Sequence, residues 1–345
     1  MTAELLAPVA PIVGRRVTPT ARLVLSADAP RDLWLAARRE GGRIGSSDIA
    51  DVLDVGYETP LRIYHDKRGE LPAADDAGEA ALWGTLHEET IAREWARRNR
   101  SVIRRVGLVA HVDHPWMACT LDRRVVECPL NRTEREACAL EIKTRNAFVA
   151  DRWRRAVPDD VLAQTLWQIH VTGYDHIHVA VLLGGADYRQ MVVRREGNEP
   201  VIADIVTAAA DMHRRILAGD PPPPTGNAER LVELYGALHP TRDGAVSLGP
   251  EVVEVLDRYE TERLREKAAK EAKNAAKAEA VALLGDAEAA LFGEEPAFSY
   301  TASRGRPAVA LSVLAERWPD AYAECVTETT VRSIRVGRNF RKKEL

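Results

Sequence analysis

Two acidic residues and one lysine are the side chains of this 345-residue chain that are best placed to do chemistry. Glu141 and Lys143 stand two residues apart in a short apolar stretch, so a strand would point both side chains to the same face. Asp122 ends another apolar stretch upstream. Two carboxylates can hold Mg²⁺, and a nearby ammonium can stabilise charge on phosphorus. The trio predicts metal-dependent phosphodiester hydrolysis, and an exposed strand edge carrying Glu and Lys is the alternative interpretation.

The overall charge excludes a strongly basic protein, since the formal net charge is -4. A site for nucleic acid would therefore be a local patch, and arginines cluster at residues 93–105 and 332–343. The four cysteines, at positions 119, 128, 138 and 325, show neither a CxxC pair nor the histidine spacing of a zinc site. We therefore expect reduced thiols, and a metal or cluster site is the alternative interpretation. The chain also lacks a leader pattern and an apolar run of about 20 residues, which predicts a soluble cytoplasmic protein.

Alternating helical and strand periods predict an α/β (α+β) fold with a mixed sheet flanked by helices and a helical C-terminal extension. Helices are predicted over residues 31–39, 48–53, 80–98, 160–172, 201–218 and 250–284. Strands are predicted over residues 107–113, 116–121, 124–127, 138–143, 177–183 and 188–193. The strands from 107 to 143 should form a meander that brings Asp122 and Glu141 to neighbouring strands. The helix over 80–98 should bury a stripe made of Leu82, Leu86, Ile91 and Trp95.

Changes in composition and a run of prolines divide the chain into three predicted regions. Residues 1–18 form a flexible lead, residues 19–224 a catalytic domain that ends at a run of prolines, and residues 225–345 a long helix with a small strand and helix segment. The middle of the helix over 250–284 is almost devoid of large apolar residues, so it should bury little.

A second candidate site begins at Ser46 and Ser47, which precede the short helix predicted over 48–53. Either hydroxyl could cap that helix. Free N–H groups and hydroxyls at a helix start can also bind a phosphate. Both interpretations stay open from the pattern alone.

Six short motifs follow one another between about residues 25 and 220. They are W34…R38, IGSSDIA (44–50), GTLHE (84–88), ACTLD (118–122), LEIK (140–143) and AQ…VTG (163–173). Together they resemble the YqaJ-type viral recombinase family, which is similar to lambda exonuclease and belongs to the PD-(D/E)xK nucleases. The chain departs from the family at Leu121 and Arg123, where Pro and Gly are usual around the aspartate.

The resemblance implies a restriction-endonuclease-like core and a set of site residues. The implied metal ligands are Glu88, Asp122, Glu141 and Ile142. The implied catalytic residues are Asp122, Glu141, Lys143 and Gln164, with Gln168 as a rival to the last. The implied ligands of a terminal phosphate are Arg38, Ser46 and Ser47.

The activity implied by the resemblance is a Mg²⁺-dependent exonuclease, with Mn²⁺ as a substitute, that digests duplex DNA from 5′ to 3′ in phage or prophage recombination. The implied assembly is a ring-like homo-oligomer that works beside a single-strand annealing protein in the cytoplasm of a bacterial host. A Cas4 or RecB type nuclease of the same fold is one alternative. A non-catalytic DNA-binding or assembly protein is another.

Overall fold

The chain is divided into two compact units, residues 1–242 and 243–345, in a computed structural model that describes residues 7, 10, 14–72, 78–130, 138–305, 309–327 and 333–336. The first unit extends past residue 224, where the sequence predicts the boundary. The polar stretch 131–137, most of the predicted lead over 1–18 and most of the arginine cluster over 332–343 lie outside the described residues.

The described residues of the first unit form eight strands and seven helices. The strands are β1 (Ala21–Ser26), β2 (Ile103–Arg104), β3 (Gly107–His111), β4 (Ala118–Leu121), β5 (Arg123–Val125), β6 (Cys138–Arg145), β7 (His176–Leu183) and β8 (Asp187–Arg194). The helices are α1 (Arg31–Arg39), α2 (Ile49–Val52), α3 (Pro60–Lys67), α4 (Gly78–Asn99), α5 (Asp159–Thr172), α6 (Glu199–Ala218) and α7 (Ala228–Leu238). Short 3₁₀ turns precede α2 and α5.

The strands form two sheets. A mixed sheet has the order β2-β5-β6-β7-β8, in which β6 and β7 are parallel and the other neighbours antiparallel. A smaller antiparallel sheet has the order β1-β3-β4. The predicted single meander is therefore wrong, because the chain passes from one sheet to the other between β4 and β5. Asp122 is the residue at that crossing.

Helices cover both faces of the mixed sheet, as the sequence predicts. α5 is apolar nearly all round and packs in the main core with Trp167, whose indole N–H donates 2.8 Å to the carbonyl of Ala118 on β4. α4 covers the other face through Ile91 and Trp95. Because helices cover both faces of the sheet, β7 is buried over nearly its whole length and β6 is buried over residues 138–142.

Several predicted elements are confirmed, and the predicted buried stripe of α4 is confirmed at Ile91 and Trp95 but wrong at its first two positions. The hairpin of β7 and β8 turns at residues 184–186, and α5 and α6 begin within two residues of their predicted starts. Leu82 and Leu86 are more than half exposed, although their spacing predicts burial. The first turns of α4 line an open cavity through Ala80 and Gly84, and the helical period alone does not show whether a helix face meets a cavity or a packed core. β1 was not predicted.

The second unit contains α8 (Glu251–Leu284), a hairpin of β9 (Ala289–Phe292) and β10 (Glu295–Ser299), and two short helices, α9 (Leu311–Arg317) and α10 (Pro319–Cys325). Leu284 is the one buried residue of α8, which confirms that this helix buries little. Among the described residues, the helices lack any apolar stretch of the length and purity needed to cross a membrane.

Candidate active site

Glu141 lies in the middle of β6 and is 2% exposed, yet its carboxylate has three side-chain partners. Lys143, two residues on and on the same face, donates from Nζ to Glu141 Oε1 at 2.5 Å. Gln164 donates to the same oxygen at 2.7 Å, and Gln168 donates to Oε2 at 2.6 Å. Both glutamines come from one face of α5, because residues four apart on a helix are neighbours. The carboxylate is thus fixed in orientation.

Lys143 is held in turn from two sides. Its ammonium also donates 2.9 Å to Oε1 of Gln164, and the side chain is 15% exposed. Gln168 has a further contact, 3.2 Å from its amide to the Thr120 carbonyl on β4, which ties α5 to the strand before Asp122. The two glutamines therefore position the acid and the lysine relative to each other.

Asp122 faces this group from the crossing between the two sheets. Its Oδ2 accepts a hydrogen bond of 2.7 Å from the backbone N–H of Ile142, the residue between Glu141 and Lys143. Burial of the carboxyl and the nearby charge of Glu141 raise the pKa of Asp122 well above its usual range, while Lys143 opposes the rise. Two carboxylates crowded in a poorly hydrated place favour either a proton or a cation between them.

Glu88, on α4, is engaged by an arginine that the family pattern lacks. Arg123 follows Asp122 and is buried, and its guanidinium bonds the carboxylates of Glu88 and Glu89, the latter at 2.6 Å. The departure at Arg123 thus has a structural role, since it ties β5 to α4. It also gives Glu88 a cationic partner that a metal ion would have to share.

The serine and arginine site differs from the predicted helix cap. Neither Ser46 nor Ser47 caps the helix, because the backbone N–H of Gly45 bonds the Asp48 side chain at 2.7 Å instead. Ser47 is exposed, and its Oγ lies 2.6 Å from Nη2 of Arg38. The α-helix behind it has only four residues, so its dipole is weak.

Arg38 is fixed by its surroundings. The same Nη2 bonds Oδ1 of the buried Asp48 at 2.6 Å, and the guanidinium lies 4.7 Å from the centre of the Trp34 ring. Lys67 pairs with the other oxygen of Asp48 at 2.5 Å. These two cations hold the pKa of Asp48 below its usual range in spite of burial. The pairing was not predicted, because Lys67 lies outside every motif.

One cavity of about 780 Å³ joins the two groups. All nine predicted site residues line it: Arg38, Ser46, Ser47, Glu88, Asp122, Glu141, Ile142, Lys143 and Gln164. Their individual roles stay predictions. Gln168, Arg123, Asp48 and Lys67 support the lining from behind. The arginine cluster at 93–105 is less basic than predicted, since Arg93, Arg97 and Arg98 each pair with a glutamate of α4.

The donor set fits a hard divalent cation. Asp122 and Glu141 offer carboxylate oxygens at one end of the cavity. The raised pKa of Asp122 reflects burial first and then the negative charge of Glu141, which a cation would neutralise. Glu88 lines the same cavity and adds to this charge. Ile142 contributes its backbone, whose N–H already orients Asp122.

Residues 33–175 match the family described as the YqaJ-like viral recombinase domain. The uncharacterized protein YqaJ of Bacillus subtilis strain 168 is 27% identical in an alignment of 323 residues that covers 90% of this chain and 95% of that protein. The alkaline exonuclease LHK-Exo from Laribacter hongkongensis is 17% identical and covers 55% of this chain and 94% of its own, with a TM-score of 0.44. The same enzyme in complex with dAMP is 18% identical over the same shares, with a TM-score of 0.45. Residues 33–175 of this chain are therefore similar to the YqaJ-like viral recombinase domain.

Proposed function

We propose that this protein is a Mg²⁺-dependent exonuclease that digests one strand of duplex DNA from the 5′ end during phage or prophage-type recombination. The observation that carries the proposal is the contact of Lys143 Nζ with Glu141, 2.5 Å, in the cavity that Asp122 also lines. Two carboxylates and an ammonium in one partly desolvated cavity are the groups that phosphodiester hydrolysis requires. The similarity of residues 33–175 to a viral recombinase domain supports DNA as the substrate.

The carboxylates of Asp122 and Glu141 would hold Mg²⁺, or Mn²⁺ in its place, with Glu88 and Ile142 as further ligands. When bound, the ion supplies Lewis acidity to a phosphoryl oxygen and acidifies a water. Glu88 can join only by sharing its carboxylate with Arg123 or by releasing it. Asp122 and Glu141 are therefore the principal ligands of the proposal.

The ammonium group of Lys143 would act on the reacting phosphate. Lys143 would orient the attacking water and stabilise the negative charge that develops on the phosphoryl oxygens. Gln164 holds Lys143 and Glu141 at one spacing, because its carbonyl accepts from the first and its amide donates to the second. Gln168 is a positioning residue, since it holds the other oxygen of Glu141 from a buried place.

Arg38 and Ser47 would bind the 5′-terminal phosphate at the other end of the cavity. A terminal phosphate carries more negative charge than an internal one. A guanidinium with a hydroxyl 2.6 Å away therefore binds the terminal phosphate more tightly. Ser46 is buried beside them and completes the wall. A 5′ end held there would place an internal phosphodiester near the carboxylates, which accounts for the proposed polarity.

The proposed assembly is a ring-like homo-oligomer that encloses the DNA and hands the exposed strand to a single-strand annealing protein in the bacterial cytoplasm. The family resemblance motivates this part of the proposal. Sedimentation velocity at the working concentration tests it. We expect a closed oligomer, and a stable monomer that digests DNA processively would contradict the ring.

End-labelled substrates test the activity and its polarity. Linear duplex DNA labelled at the 5′ or the 3′ end, and the same sequence as a closed circle, would be incubated with the protein and Mg²⁺. We expect early release of the 5′ label, late release of the 3′ label and an intact circle. Cleavage of the circle would indicate an endonuclease, and binding of all three DNAs without any cleavage would favour a non-catalytic DNA-binding protein.

A further inference from the structure

Four buried side chains that the proposed chemistry does not use meet on the far side of β6. Cys128, Cys138, His176 and His178 each offer one sulfur or ring nitrogen, and these four atoms lie within 4.8 Å of one another. The spacing of these residues in the sequence shows no zinc pattern, because the sheet brings them together from distant parts of the chain. None of the four cysteines, all of which the structure describes, forms a disulfide.

The sheet brings the four together. His176 and His178 alternate on β7, so their side chains share a face. Cys138 opens the parallel neighbour β6, where Leu140 is the register partner of His178. Cys128 follows β5 and packs in the same cluster as Cys138, on the α4 side of the sheet. Glu141 and Lys143 project from the opposite side of β6.

The distances fit one small ion. Sγ of Cys128 lies 3.1 Å from Nε2 of His176 and 3.5 Å from Nε2 of His178. Tetrahedral zinc, with bonds of about 2.3 Å to sulfur and 2.0–2.1 Å to nitrogen, separates such ligand atoms by roughly 3.6 Å. An iron–sulfur cluster would hold the ligands of its separate irons further apart than this group allows.

We propose that Cys128, Cys138, His176 and His178 form a mononuclear zinc site. Two thiolates and two imidazoles at tetrahedral spacing select zinc over Mg²⁺, which prefers oxygen ligands. Four protein ligands leave no open position, so the site is structural rather than catalytic. It joins both ends of the connection from Cys128 to Cys138 to β7, and it fastens the start of the strand that carries Glu141.

The surroundings of the four side chains also suit a structural metal site. All four are buried, and a thiolate is the form of cysteine that binds zinc. The ring of Trp95 lies 4.9 Å from that of His178 and limits its movement.

Metal content of the untagged, purified protein tests the site. We expect about one zinc per chain by plasma mass spectrometry after gel filtration, four titratable thiols after denaturation in a chelator, and loss of zinc in Cys128→Ser and His178→Ala. Cys119→Ser is the matched control, since Cys119 is equally buried but lies outside the cluster. It should retain the zinc, and His178→Cys should retain it too, because thiolate can replace imidazole as a ligand.

A second measurement covers variants that fail to fold. Wild-type protein stripped by a strong chelator should lose thermal stability on the order of 10 °C, regain it with zinc, and show the visible spectrum of tetrahedral cobalt when Co²⁺ is added instead. Mg²⁺ should not restore it. Metal-free protein with an unchanged melting temperature and no cobalt spectrum would overturn the proposal, as would a Cys128–Cys138 disulfide revealed by only two titratable thiols. These readouts do not depend on nuclease activity.

Discussion

Replacement of Lys143 by alanine tests the contact on which the proposed chemistry depends. The ammonium lies 2.5 Å from Glu141 Oε1 and 2.9 Å from Gln164 Oε1 and is mostly buried. Water that enters the space left by the side chain can replace its hydrogen bonds but not its charge. We therefore expect the substitution to remove hydrolysis and to spare DNA binding, since the carboxylates remain.

The expected loss is large because the charge acts in a partly desolvated cavity. Removal of one electrostatic or acid–base group costs roughly 10²–10⁴-fold in rate, or about 2.7–5.5 kcal/mol of barrier. Lys143 also opposes the raised pKa of Asp122. Without the lysine that pKa should rise further, so the acid side of the pH–rate profile should move to higher pH.

The assay is release of acid-soluble nucleotide from linear duplex DNA across a pH series, with DNA binding measured separately by anisotropy. Lys143→Arg keeps the positive charge and should keep the acid limb in place while turnover falls. Lys267→Ala removes an exposed lysine of α8 and should change neither. Activity of Lys143→Ala within about threefold of the wild type would refute the reasoning.

Three further outcomes are expected. Burial and a neighbouring carboxylate raise the pKa of Asp122, so the metal-free protein should lose stability as the pH rises through that pKa. In chelator at neutral pH, Asp122→Asn should therefore melt at a higher temperature than the wild type. Mg²⁺ should raise the melting temperature of the wild type only. Arg123→Ala removes a buried guanidinium that holds two glutamates and should lower the free energy of unfolding in urea by about 1–3 kcal/mol, against less than about 1 kcal/mol for the exposed Arg93→Ala. The wild type should digest 5′-phosphorylated ends faster than 5′-hydroxyl ends, and Arg38→Ala and Ser47→Ala should reduce that preference; equal rates on both ends in the wild type would contradict the pocket.

Local pattern was sufficient where one element determines the outcome. Glu141 and Lys143 share a face because a strand has a period of two, and their contact on β6 follows from that period alone. The turn at residues 184–186 and the exposed helix Glu251–Leu284 were likewise predictable, since glycine pairs and a lack of large apolar residues act locally.

Long-range pairing explains what the pattern missed. Cys128 and His178 are distant in sequence and become neighbours only through the register of β6 and β7. Serine often caps a helix, but the hydroxyl of Ser47 instead accepts a hydrogen bond from Arg38, and the Asp48 side chain accepts one from the backbone N–H at the same turn. Leu82 has the spacing of a buried residue but is half exposed, on a helix whose first turns line an open cavity. The hydrophobic period of a helix or strand does not determine which surface of the protein it packs against.

A Mg²⁺ titration of DNA digestion tests the central claim most directly. Wild-type protein and the Asp122→Asn variant would be compared on linear, 5′-phosphorylated duplex DNA, from chelator alone to saturating Mg²⁺. We predict no digestion in chelator, a saturable rise with Mg²⁺ in the wild type, and at least a hundredfold lower rate in the variant at every concentration, on the order of the loss expected for one essential group. Digestion by the wild type in chelator, or a variant as fast as the wild type at saturating Mg²⁺, would contradict a metal-dependent site at Asp122 and Glu141.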